Sequence, residues 1–423
     1  MPGGALDRGI LLPDELWAEV FCHLQPEVYV DPTKVDVLET RVVAEEHRQF
    51  HRLRFVCKRF NQIFNQHQKL AECLYLKEDI KHTALSSLLP WSLGHKSSIR
   101  TFIARCGSPC TEVALALLSG AALDAVVIRS ASPCTISTLA AFASVTTVDL
   151  KFSGYYLDLT ALHMLQNLRE LHLRDGVFDV DRLAAHVTYL VLDRADVASA
   201  QSCSFVTGLQ QLDMYASSFV GLHPLGLSAC TALTWLQLRE AEIGAEVQTE
   251  HTDIRRGKVT NLASGLSFLT NLTHLDMRLH SHHHGLFKTD KLLRLKALKH
   301  LQLHFVTGRV QIEFCAAFTC LLELENLRIW LDDDSPSTLT LNVPWHKMST
   351  IKEVIFLANM FKFGKDILGF TQIKGLKRLF LHDGHVMDGP TAKSVEALRY
   401  NMAVFRPDVV FKLTLQVDPD QLL

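Results

Sequence analysis

One pattern limits what this chain can fold into: apolar-x-x-apolar-x-apolar, repeated from about residue 120 to near the end of its 423 residues. Copies begin at Leu123 (LDAVVI), Val145 (VTTVDL), Leu168 (LRELHL), Val187 (VTYLVL), Leu209 (LQQLDM) and Leu233 (LTWLQL). They continue at Leu272 (LTHLDM), Leu298 (LKHLQL), Leu324 (LENLRI), Ile351 (IKEVIF), Leu376 (LKRLFL) and Val410 (VFKLTL), with a weaker copy at Ile99 (IRTFIA). The last x-L-x-L-x of each copy has period two, so its apolar residues face one way and the intervening residues the other. One such strand cannot bury its apolar edge alone. Stacked in parallel, the copies bury a continuous ladder in which each side chain contributes on the order of 1.5–3 kcal/mol.

Spacing and motif resemble leucine-rich repeats, whose period is about 20–29 residues. The tetrapeptide SPCT, at Ser108 and again at Ser132, marks the same period in a second register. The resemblance implies an α/β fold, a solenoid with a parallel concave sheet, over residues 96–417 in about 12–13 repeats. LTALHMLQN before Leu168 and TDKLLRLKA before Leu298 carry helical spacing and are expected on the convex side. The position that the family usually fills with Asn or Cys after the strand holds Gly176, Ala195, Ala241, Val306 or Gly384. The turns must therefore satisfy their backbone groups by other means. The long step from Leu233 to Leu272 contains GAEVQTEHTDIRRGKV, polar and charged as an inserted surface loop would be.

The N-terminal segment reads differently. A helix is expected from Pro13 to Leu24, with Pro at its first position and Asp14 and Glu15 suited to the positive helix start. Its apolar residues, Leu12, Leu16, Trp17, Val20, Phe21 and Leu24, cover more circumference than one core needs. A second helix, about Phe50 to Phe64, groups Leu53, Val56, Cys57, Phe60, Ile63 and Phe64. The surplus apolar surface fits either a permanent partner or a cap on the first repeats. LPDELWAEVFCHL followed by LRFVCKRFNQIF resembles an F-box, so residues 10–75 are expected to form a small all-α module ahead of the solenoid, joined by a linker at 76–95. The resemblance implies docking on a Skp-type adaptor, and through it a cullin, with Leu12, Pro13, Leu16, Val20, Phe21, Val56 and Phe60 as adaptor contact or module core. Between the two halves lies an insertion, about residues 26–48, longer than the family's usual loop; it is either a harmless excursion or a change to the adaptor surface.

Composition narrows the function classes. A net charge of -2 and a pI near 6.9 give no electrostatic case for nucleic acid or an anionic membrane. The opening MPGGALDRGI lacks the basic-then-apolar order of a secretory signal, and the apolar stretch Val113–Ile128 is short and broken by Asp124. A cytoplasmic or nuclear protein is expected, with its ten cysteines mostly small buried hydrophobes. No nucleophile elbow, phosphate-binding loop or zinc-protease signature stands in the sequence, so neither catalysis nor a cofactor is expected.

The strand residues facing away from the core should line the concave face, the usual binding surface of such arrays. Those positions hold Glu170, His172 and Arg174; Tyr189 and Asp193; Gln211, Asp213 and Tyr215; and Trp235, Gln237 and Arg239. They continue with His274, Asp276 and Arg278; His300, Gln302 and His304; and Asn326, Arg328 and Trp330. Rings and arginines are the types enriched in interface anchors. His172, Arg174, Tyr215, Trp235, Arg239, His274, Arg278, His304, Arg328 and Trp330 are therefore the expected substrate contacts, Trp235 and Trp330 standing out as large rings without a core role. His280, His282, His283 and His284 cluster after a strand, but adjacent histidines in a turn rarely converge on one ion, so a solvated loop and no metal are expected. Three readings stay open: a substrate receptor of a cullin–RING ubiquitin ligase, acting as a monomer within a hetero-complex on an unknown protein substrate; a scaffold unconnected to ubiquitin; and a small-molecule receptor.

Overall fold

A computed structural model describes residues 73–76, 96–152, 154, 156–179, 186–198, 207–219, 229–239, 242–243, 266–279, 285–305, 310–331, 338–358, 360–363, 367–383 and 389–415. The F-box-like segment, with its seven adaptor-contact candidates and the 26–48 insertion, lies outside the described residues, as do the polar loop after Gly244 and the histidines of 280–284. The chain divides into two compact units. Both are leucine-rich-repeat ladders.

Among the described residues the first unit holds four parallel strands, β1 (Cys73–Leu76), β2 (Thr101–Ala104), β3 (Ala125–Ile128) and β4 (Thr147–Lys151), paired in that order. Phe102, Val126 and Val148 share one register position and are fully buried, as are Ala104, Ile128 and Leu150 two residues on. The ladder thus starts one strand ahead of residue 96, where the repeats were expected to begin. Two SPCT segments start helices here, α1 (Ser108–Leu117) and α2 (Pro133–Leu139), because proline in the first turn presets the backbone and lacks the N–H that would go unpaired. The two caps differ. Ser132 forms a capping box with Thr135, whereas Gly107 precedes α1 without a side-chain cap.

The second unit contains, in chain order, β5 (Leu157–Asp158), β6 (Glu170–Asp179), β7 (Tyr189–Ala198), β8 (Gln211–Tyr215), β9 (Ser218–Phe219), β10 (Trp235–Arg239), β11 (Glu242–Ile243), β12 (His274–Leu279), β13 (Gly285–Lys288) and β14 (His300–Phe305). There follow β15 (Val310–Phe314), β16 (Asn326–Leu331), β17 (Thr338–Leu341), β18 (Glu353–Ala358), β19 (Met360–Phe363), β20 (Arg378–Asp383), helix α3 (Gly389–Phe405) and β21 (Val410–Leu415). The main ladder runs β6, β7, β8, β10, β12, β14, β16, β18, β20, β21, every pair parallel. Leu171, Leu190, Leu212, Leu236, Leu275, Leu301, Leu327, Val354 and Leu379 form one buried row across it. β10 pairs directly with β12, so the long step between their copies leaves the ladder unbroken.

The backbone of each repeat is tied to the one before it. The carbonyls of Arg169, Gln210, Thr234 and Thr273 each accept two successive N–H groups from the next repeat. Thr188, Thr234 and Thr273 add a hydroxyl to the carbonyl of the preceding repeat. Just before the position that the family fills with Asn, the chain turns at a left-handed residue, Asp175, Arg194 or Ala216, in successive repeats. The residue that follows then solves its repeat individually. A Cβ on Gly176 would come 2.6 Å from the Phe152 carbonyl oxygen, which makes glycine necessary there. The Ala195 N–H donates to the Ser217 hydroxyl at 3.0 Å, and that hydroxyl donates to the Tyr215 carbonyl.

Two expectations from sequence need correction in this unit. The segments expected as convex helices are short 3-10 helices, at Thr160–Met164 and Thr289–Arg294, because a short strand, β5 or β13, takes up the residues just before each. Other residues between the main strands form a second parallel sheet, β13-β15-β17-β19. Buried aromatics of this region interlock: Phe314 with Phe318 at 4.7 Å, and Trp345 stacked on Phe370 at 4.5 Å. The last repeat is displaced by two residues, Phe411 and Leu413 pairing with Leu379 and Leu381. Val410, read from sequence as its first core residue, is instead 59% exposed. A two-residue slip keeps Leu413 at a core-facing position, so period two could not reveal it.

Candidate functional site

The strand residues opposite the leucine row form three aligned rows on the open face of the second unit. In the first row the Trp235 ring stacks on His274 at 4.4 Å, and His274 stacks on His300 at 4.1 Å. The Asn326 amide, next in the row, donates to Nδ1 of His300 at 2.7 Å, and the Thr273 hydroxyl shares a 2.8 Å hydrogen bond with Nδ1 of His274. Rings one strand apart lie close to stacking distance, so identical register turns separate repeats into one continuous ledge. Burial, then His300 and Lys299, push the His274 imidazole down to about 4; burial likewise lowers His300. Both rings are neutral at physiological pH and present edges rather than charge.

The second row runs Asp213, Gln237, Asp276, Gln302, Arg328. Burial raises Asp213 to about 6, opposed by Arg239 and reinforced by Asp276 and Asp193. Burial also raises Asp276, against the attraction of Arg239, whose guanidinium lies 3.5 Å away. Arg239 is further engaged by the Gln237 amide oxygen. In the third row the His304 ring meets Trp330 edge to face at 5.4 Å, and the Trp330 indole N–H is buried without a hydrogen-bond partner among the described residues.

The expected contacts therefore share a face but not a single environment. His172 is 1% exposed and packs edge to face on Tyr189; Arg174 pairs with Asp193 at 3.7 Å, both largely covered. Side chains of the face close over one another at β6 and β7. Tyr215 and Arg239 are exposed, and Trp235, His274, Arg278, His304, Arg328 and Trp330 are partly so. Trp235 does have a structural role: it caps the imidazole ledge.

The same rows continue past Trp330, the last residue expected on this face, onto β18 and β20 with Glu353, Ile355, Leu357, Arg378, Phe380 and His382. Glu353 is 7% exposed and held between two arginines, Arg328 Nε at 2.7 Å and Arg378 Nη1 at 3.1 Å. The signal was present as the x positions of IKEVIF and LKRLFL. Among the described residues no group of His, Cys, Asp and Glu could hold a metal ion, and no helix is long and apolar enough to cross a membrane.

The sequence matches no family model and no curated protein. Among solved structures, the leucine-rich-repeat ectodomain of the plant membrane receptor kinase GASSHO1 from Arabidopsis thaliana is 13% identical, over 78% of this chain and 43% of that one, with a TM-score of 0.42. A leucine-rich-repeat protein of Leptospira interrogans is 13% identical over 82% of this chain and 97% of its own, with a TM-score of 0.41. The Arabidopsis receptor kinase HAESA, solved with a peptide hormone and a co-receptor, is 19% identical over 64% of this chain and 43% of its own, with a TM-score of 0.43. The chain thus spans under half of either plant receptor, and its assignment to the leucine-rich-repeat fold rests on the strand register and buried leucine row.

Proposed function

We propose that the chain is the non-catalytic substrate-recognition subunit of an SCF-type ubiquitin ligase. Residues 10–75 dock on a Skp-type adaptor, which links them to a cullin, and the repeats hold a protein substrate on the open face of their sheet. The observation that carries this reading is the paired motif: Leu12, Pro13, Glu15, Leu16, Val20 and Phe21, then Leu53, Val56, Cys57, Lys58 and Phe60, in that order ahead of leucine-rich repeats. The open face supports a protein ligand. It combines partly exposed rings, arginines and carboxylates over several strands, the composition of interface anchors rather than of a reaction centre. Such a subunit works by proximity, holding a substrate lysine within reach of a ubiquitin carrier on another subunit. Its place would be cytoplasmic or nuclear.

The test is capture of a purified Skp-type adaptor by the full chain, compared with Leu16→Ala plus Phe21→Ala. Two truncated apolar anchors should weaken capture by about a hundredfold or more. A well-folded wild-type chain that captures no adaptor would end the ligase reading.

A further inference from the structure

We propose that the face over β16, β18, β20 and β21 docks an acidic–apolar peptide segment of a partner protein. Arg328, Ile355, Phe380 and Lys412 fall in one row on these four adjacent strands, and Trp330, Leu357 and His382 in the next. Ile355, Leu357 and Phe380 are partly exposed at positions that hold Asp213, Gln237, Asp276 and Arg278 on earlier strands. The core has no use for them, because Leu327, Val354 and Leu379 fill its side of the same strands. What the core does not explain, a ligand's apolar side chain would.

Charge selects the occupant. The apolar strip lies among three cations, Arg328, Arg378 and Lys412, against one carboxylate, Glu353, an excess of two positive charges. Glu353 pins both guanidiniums in place while leaving donors on each: Nη1 of Arg328, and Nε and Nη2 of Arg378, make none of the contacts to it. A fixed fork loses little freedom when it meets a carboxylate. Arg328 and Lys412 stand three strand spacings apart, roughly 14 Å. That distance matches about four residues of extended chain, so the favoured segment carries Asp or Glu at both ends of such a span and Leu, Phe or Trp between. This goes beyond the ligase reading and stands whether or not residues 10–75 dock an adaptor.

Fluorescence polarisation on the full chain tests it, with labelled peptides placing acidic residues four apart around Leu, Phe or Trp. Controls carry Lys for the acids or Ser for the apolar residue. The acidic–apolar probes should bind in preference to both controls, about tenfold or more weaker after Phe380→Ser and a few-fold weaker after Lys412→Glu. Lys412→Glu should also improve the basic probe. Should Phe380→Ser fail to fold, Lys412→Glu decides, since that side chain is exposed. Equal or better binding of the basic probe to wild type, or no binding of any acidic–apolar probe, would overturn the assignment. So would capture of phosphatidylserine vesicles alone, or a Phe380-dependent dimer in sedimentation without peptide binding.

Discussion

Arg406 should hold the C-terminal strand on the ladder, and Arg406→Ala should release it. The guanidinium is largely buried and donates to the carbonyls of Ile373 at 2.6 Å and Leu376 at 3.0 Å, with a longer contact to Thr371 at 3.4 Å. These carbonyls close the turn before β20, so one side chain from the end of α3 fastens the entry to β21 to the repeat beneath it. A hydrogen bond from a charged donor contributes roughly 1.5–3 kcal/mol net. Two good bonds would give about 3–6 kcal/mol. The Ile373 carbonyl also accepts the Leu376 N–H, so the low end, about 3 kcal/mol, is the better expectation. The ion pair with Asp408 adds little, because that carboxylate is exposed and screened. Hydrogen exchange reads the result locally: about 3 kcal/mol less opening free energy is about two decades of protection lost over β20 and β21. Arg406→Lys should recover little of it, since a single ammonium cannot reach three carbonyls as a planar fork does. Unchanged protection in Arg406→Ala, or full recovery in Arg406→Lys, would refute the reasoning.

Asp213 gives a pH signature: its carboxyl ionises near 3.8 when unfolded and at about 6 when folded, so stability falls as pH rises from the first value through the second. Asp213→Asn should therefore gain stability at pH 7.5, up to about 3 kcal/mol, and lose that advantage near pH 4; an equal urea-midpoint offset at both pH values would count against it. His274 should stay neutral well below the usual imidazole range, and an NMR titration placing it near 6.5 would contradict the stacked, desolvated ledge. Ser217→Ala strips the buried Ala195 N–H of its acceptor and should cost about 1–3 kcal/mol in chemical denaturation; a cost near zero would show that the turn satisfies itself in another way.

The sequence alone determined the ladder. Period-two leucines recurring at steps mostly in the twenties admit one economical burial, parallel stacking, and Leu171 through Leu379 line up as that pattern requires. It also determined which residues share the open face, since alternation is a local property of the strand. Three-dimensional packing decided what those residues are. His172 and Tyr189 carry the same polar signature as His274 and Trp235, yet the first pair is buried and the second forms a partly exposed ledge. Exposure depends on neighbours one strand away, which are about twenty residues distant in the chain. The second sheet and the 3-10 turns were hidden for a related reason: short segments between repeats are weak helix or strand formers alone and take the conformation their stacked neighbours allow. Glu353 shows the limit most clearly. As one glutamate in IKEVIF it has no special mark, and only the register of β16, β18 and β20 places it between Arg328 and Arg378.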